Sequence, residues 1–160
     1  MKKVLLFCLV SVLIVLSTGC FGTGEESSTK EIDDPVEAAV YYYYDSLQKE
    51  NYDEALSYLA SDYLTYLNIS ERDYVNIFKD MRTLEDWRIE EISVRSIDEI
   101  DDDITVPFAL EPLLVTSGDN YIVIVDISIS IHGETSGVVD NVLVAEDNNG
   151  EWKIFGIVSF

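Results

Sequence analysis

The chain is 160 residues long and carries 31 acidic against 10 basic side chains, a formal charge of −21 at pH 7. That length suits one hydrophobic core, and so one domain. The charge excludes nucleic-acid grooves, because so acidic a surface repels phosphate and lacks the Lys/Arg clusters that release counterions.

The chain opens on Met1-Lys2-Lys3, an apolar run from Val4 to Leu16, and Ser17-Thr18-Gly19-Cys20. These are the parts of an export signal: a positive end that stays cytoplasmic, an apolar stretch short for a membrane span, and small residues before a cysteine. The last part resembles the lipobox of bacterial lipoproteins, seen also in archaeal ones, although Ser17 stands where that motif usually has Leu. The resemblance implies that residues 1–19 are a cleaved signal peptide. Cys20 is then the lipid attachment site, holding the domain on the outer face of the cytoplasmic membrane or envelope. An uncleaved anchor and an ordinary secretory peptide are the alternatives, and both also place the domain outside the cytoplasm. Cys8 leaves with the signal, so Cys20 is the only thiol of the mature chain and no intrachain disulfide is expected. Residues 20–33 are mostly small and polar and read as a flexible tether with a reach of about 20 Å.

The domain is expected over 34–160. Asp34-Pro35-Val36-Glu37 supplies an N-cap, a proline at the first helical position and an early acid. In the helix that follows, Val36, Ala39, Val40, Tyr43 and Leu47 share one stripe. Of the four consecutive tyrosines, Tyr43 points inward, Tyr44 flanks the stripe, and Tyr41 and Tyr42 lie towards the other side. A second short helix is expected to be capped by Asn51, with Tyr52, Ala55, Leu56 and Leu59 inward. A third starts at Ser70 and puts Tyr74, Ile77, Phe78 and Met81 on one face. Asn68-Ile69-Ser70 also matches a glycosylation acceptor, but a capping Ser70 is the preferred role.

From Trp87 the period changes to two, the signature of strands. Trp87 and Ile89 alternate in one phase and Ile92 and Val94 in the other, which places a bulge near Glu90-Glu91 and bends the strand. Tyr121 to His132 reads as the longest strand, with Val123, Val125, Ile127, Ile129 and Ile131 on one face. Gly133 to Gly137 is expected to turn the chain into Val138 to Glu146. Asn148-Asn149-Gly150 then supplies a hairpin turn into the last strand.

Helices first and a bent antiparallel sheet after them make an α+β fold, three N-terminal helices packed on a curved sheet. Three motifs in that order, Asp34-Pro35-Val36-Glu37-Ala38-Ala39, Glu50-Asn51-Tyr52-Asp53-Glu54-Ala55-Leu56 and Asn149-Gly150-Glu151-Trp152-Lys153-Ile154, resemble the nuclear transport factor 2-like superfamily, a cone-shaped, cystatin-like α+β fold. The resemblance is to exported members rather than to an enzyme branch. It departs at about 98–118, an acidic and then apolar insertion. It implies a pocket between helices and sheet, with Tyr43, Tyr58, Tyr63 and Trp87 expected nearest it.

Candidate chemistry is sparse. His132, the lone histidine, is expected outside the pocket at the end of the long strand, with Asp126 three side-chain steps away on the same face, too far for a dyad. Asp98, Glu99, Asp101, Asp102 and Asp103 lack the glycine of a calcium loop and read as a solvated acidic run. Glu134, Asp140, Glu146 and Asp147 show no ligand-like grouping. No catalytic residue, metal or cofactor is assigned. The second sheet face carries Ile122, Ile124, Leu143, Phe155 and Ile157, together with Ala145. A second copy or an envelope partner is expected there, the alternative being cover by insertion residues Val106, Phe108, Leu110, Leu113, Leu114 and Val115. The leading functional expectation is a non-enzymatic, membrane-anchored binding or interaction module with no polar pair in its pocket. One alternative is a small-molecule enzyme resembling polyketide cyclases or ketosteroid isomerases, which requires a buried carboxylate or Tyr/Asp pair. The other is a structural envelope lipoprotein with its pocket filled by its own side chains.

Overall fold

The computed structural model describes residues 32–160, which form a unit of their own. The signal segment 1–19, Cys20 and the tether as far as residue 31 lie outside the described residues. Asp34 caps helix α1 (Pro35–Gln48), its carboxylate accepting from the amides of Val36 at 2.8 Å and Glu37 at 3.1 Å, which satisfies donors that the first turn leaves open. The stripe Val36, Ala39, Val40, Tyr43 and Leu47 is buried as the spacing predicts, and Tyr44 is buried with it. Helix α2 (Tyr52–Ser57) starts without the expected side-chain cap; Asn51 at its N-cap position donates to the Glu54 carboxylate. Leu59 falls beyond its end.

The structure has a further helix that the sequence pattern does not announce, α3 (Ser61–Leu67). It is short, and Ala60 at its N-cap offers no capping side chain. Helix α4 (Glu71–Glu85) carries the full capping box, Ser70 and Asp73 each satisfying the other's backbone amide. It buries Tyr74 and Val75 and leaves Ile77 exposed, contrary to the expected stripe.

Four strands, β1 (Arg88–Glu99), β2 (Asn120–Ile131), β3 (Glu134–Glu146) and β4 (Trp152–Ser159), form one antiparallel sheet in sequence order. The expected bulge is present, since Ile89 pairs with Ile129 and Glu91 with Ser128, leaving Glu90 over. The Gln48 side chain covers it, donating to the carbonyls of Ile89 and Glu90 at 3.1 Å each. A second irregularity leaves over Arg95, and a third, in β4, leaves over Phe155. The β2–β3 turn is tighter than expected: His132 and Gly133, both at positive φ, make it alone, and Glu134 to Gly137 already belong to β3. Positive φ at both central residues is the type I′ geometry, one of the two that match the right-handed twist of the strands in a two-residue hairpin.

Helix α1 lies against all four strands. On that side Val123, Val125, Val142, Val144 and Ile154 are sealed beneath Val40 and Tyr43. The other face of the sheet is covered by the chain itself. Between β1 and β2 the backbone folds back through a 3₁₀ turn (Glu111–Leu113) and buries Leu110 against Ile122, Leu143, Ala145 and Phe155. Asn120 ties the end of this segment, exchanging hydrogen bonds with the Val115 amide at 2.8 Å and its carbonyl at 2.9 Å. Gly156 makes room for it, because a Cβ there would fall 2.5 Å from Leu110 Cδ2.

The expected docking face is therefore corrected. Ile122, Leu143 and Phe155 are buried by residues of their own chain, and Ile124 is half-buried in the same cluster. Ile157 lies on the helix side instead. The extra residue in β4 shifts the alternation, so that Phe155 and Ile157 cannot share a face.

Candidate functional site

A cavity of about 450 Å³ opens between α1, α3, α4 and the helix-side face of the sheet. Three of the four aromatic residues expected near a pocket line it: Tyr43, Tyr63 and Trp87. Tyr58 does not. It follows the end of α2, where its carbonyl accepts from the Ile154 amide at 2.8 Å and its ring lies 6.4 Å from that of Tyr42. Tyr44, Tyr74 and Phe78 complete the aromatic lining, and Leu47, Ile89, Ile127, Ile129, Val138 and Ile157 supply apolar wall.

Two polar pairs sit in this apolar setting. The hydroxyl of Tyr44 donates to Asp140 Oδ2 at 2.6 Å, and the hydroxyls of Tyr43 and Tyr74 bond each other. Asp140 is 6% exposed, and its second oxygen, Oδ1, has no hydrogen-bond partner among the described residues. Burying a polar atom without a partner costs free energy, so Oδ1 is a place where a ligand group gains more than it would in water. The tyrosine pair adds a donor. Whichever hydroxyl donates within it, the other keeps a hydrogen that the pair does not use.

Burial, the like-sign influence of neighbouring tyrosines and, for Tyr44, the Asp140 carboxylate hold Tyr43 and Tyr44 well above the ordinary tyrosine value of 10.0. Burial raises Tyr74 and Tyr63 as well. All four are neutral hydroxyls at physiological pH. Tyr63 is fixed by donating to the Ile157 carbonyl at 3.3 Å. The arrangement can accept one hydrogen bond, donate another and hold an apolar body between aromatic faces.

The expectation of a pocket without a polar pair is thus corrected, and the residue that overturns it is Asp140. Its signal was in the strand pattern. Val138, Asp140, Val142 and Val144 alternate in one phase, so an acid occupies a core-facing position opposite Val125. Tyr44, placed at the flank of its stripe, turns inward to meet it.

The other acidic and basic residues lie elsewhere. Asp126 is clasped by Arg95, whose Nε donates to it at 2.8 Å. His132 is exposed in the hairpin turn, its amide donating to the Glu85 carbonyl at 3.0 Å. Among the described residues, no group of three or more His, Cys, Asp or Glu side chains is placed to hold a metal ion, and no helix is long and apolar enough to cross a membrane. The Asp101 carboxylate accepts from the Asp103 amide at 2.9 Å, a local turn within the acidic run. Comparison with protein-family models and with curated proteins gives no match.

Proposed function

We propose that this chain is a lipid-anchored, exported binding domain that takes a small, largely apolar molecule into the cavity between its helices and sheet. In this reading Cys20 carries the lipid, residues 20–33 are the tether, and the domain adopts the nuclear transport factor 2-like cone. Helices followed by a four-stranded antiparallel meander, with a cavity between the two layers, support that assignment of the fold. The observation that carries the functional reading is Asp140, buried in an aromatic cavity with one oxygen unpaired. The cavity volume lies in the range of small-molecule sites, roughly 300–1,000 Å³. That open volume also weighs against a purely structural role, which needs a pocket filled by its own side chains.

Native mass spectrometry of the full chain purified from its own host tests the proposal. The expected result is a bound small molecule in the wild type that is depleted in Asp140→Asn. Wild-type protein without bound mass would contradict it. Labelling with a radioactive fatty acid tests the anchor, with incorporation expected in the wild type and lost in Cys20→Ser.

A second reading, proton-transfer catalysis resembling ketosteroid isomerases, is favoured by one arrangement: a carboxylate with an open oxygen shares a cavity with tyrosine hydroxyls held neutral. Asp140 would take a proton next to a carbonyl, and the spare tyrosine hydroxyl would donate to the developing oxyanion. Exchange of the α-hydrogens of a cyclic ketone for deuterium, abolished by Asp140→Asn, is the expected outcome for an enzyme. Binding of the ketone without exchange leaves the site a binding site only.

A further inference from the structure

We propose that the ligand of this cavity is an organic cation, an ammonium group on an apolar body, with its charge on Asp140 and its body against the aromatic wall. The inference rests on the ligand-binding reading above and adds the chemical class of the ligand.

The first argument is charge. Among the described residues no Lys, Arg or His lines the cavity, and the Tyr44 hydroxyl is the one group there that supports Asp140, with no counter-charge beside it. A buried carboxylate is ordinarily paired with a positive group or a metal, since desolvation without such a partner is costly. A cationic ligand supplies the missing charge and a hydrogen bond to Oδ1 in one group. An anionic ligand meets Asp140 unscreened, and a neutral alcohol satisfies the hydrogen bond but not the charge.

The second argument is the wall. Tyr43, Tyr44, Tyr63, Tyr74, Phe78 and Trp87 surround the same space, and the negative face of an aromatic ring attracts an ammonium, most strongly where water is excluded. Phe78 lies between Tyr74 and Trp87, with ring centres 5.0 and 5.6 Å away, so the lining is continuous along that side. The overall charge of −21 raises the local concentration of cations around the domain.

The test is calorimetric titration of the full chain, held in nanodiscs of zwitterionic lipid, with phenethylamine, an ammonium ion at neutral pH, and with its neutral counterpart 2-phenylethanol. The ammonium is expected to bind about tenfold or more tightly, the difference a charge-assisted bond and ring contacts provide. In Asp140→Asn, which keeps the shape and an oxygen for Tyr44, that preference is expected to vanish. Equal affinity of the two compounds for the wild type overturns the inference while leaving saturable binding, and so the ligand-binding reading, intact. A preference that survives in Asp140→Asn also overturns it, since the charge then acts elsewhere. If neither compound binds, the inference fails, and the ligand-binding reading is judged by the molecule that co-purifies from the host. The wild-type comparison decides the matter even if the variant does not fold.

Discussion

Asp140 is the residue on which the site depends, and its stability cost is readable by mutation. In Tyr44→Phe the carboxylate loses the one hydrogen-bond partner it has among the described residues, in a buried position, an expected cost of about 1–3 kcal/mol. Adding Asp140→Leu removes the stranded charge and should recover most of that loss, since an apolar group of similar volume is tolerated where an unpaired ion is not. Urea denaturation of the two variants checks this, and a double variant less stable than Tyr44→Phe would contradict it. The tyrosines set a limit at the alkaline end. Folding raises Tyr43, Tyr44 and Tyr74 above 10.0, so their contribution to stability is fully present below that value and is lost as pH climbs above it towards the folded values. These tyrosines should therefore ionise together with loss of near-ultraviolet dichroism, and tyrosinate absorbance rising to completion on a folded protein would refute the assignment. At this scale the sequence was only partly legible. Phase and resemblance point to Tyr43, Tyr58, Tyr63 and Trp87 near a pocket, and all but Tyr58 line it. Asp140, one acid among 31, shows no ligand-like grouping in the sequence; the phase it shares with Val138, Val142 and Val144 hints at a core-facing position, and the register opposite Val125 fixes it.

At the scale of elements, the helix caps and the first bulge were legible because both are local: Asp34 and Ser70 act within their own first turns, and the phase change around Glu90 is visible along one strand. Helix α3 was not, since it has no capping side chain and draws its stability from contact with β4. Nor was the position of Ile157, which depends on an extra residue inserted two places earlier. Cover by the segment over the outer face is the sequence's second alternative, behind a partner, because apolar alternation shows that a surface must be buried without showing by what. Leu110 decides the matter, at 1% exposure against Leu113 and Gly156. Leu110→Ala is expected to cost about 2–5 kcal/mol and to raise binding of a hydrophobic dye as Ile122 and Phe155 are uncovered. Thermal and urea denaturation check the first and dye fluorescence the second. A cost within about 0.5 kcal/mol, the usual surface range, would mean that the segment does not seal the face.

For the whole molecule, the charge of −21 is a source of self-repulsion that packing must offset. Its range shrinks with salt, the Debye length falling from about 30 Å at 0.01 M to about 3 Å at 1 M. The melting temperature should therefore rise with sodium chloride, and a flat or falling trend by calorimetry would show that the exposed ion pairs, such as Arg82 with Glu50 and Arg95 with Asp126, outweigh the net repulsion. The same charge keeps phosphate and carboxylate compounds away and agrees in sign with Asp140 inside. The most direct test of the account is a crystal structure of the protein purified from its own host. The account predicts connected density for a small molecule in the cavity, with an atom within hydrogen-bond distance of Asp140 Oδ1. A cavity holding only water, or one closed by the movement of Trp87 and Phe78 onto the tyrosines, would contradict it.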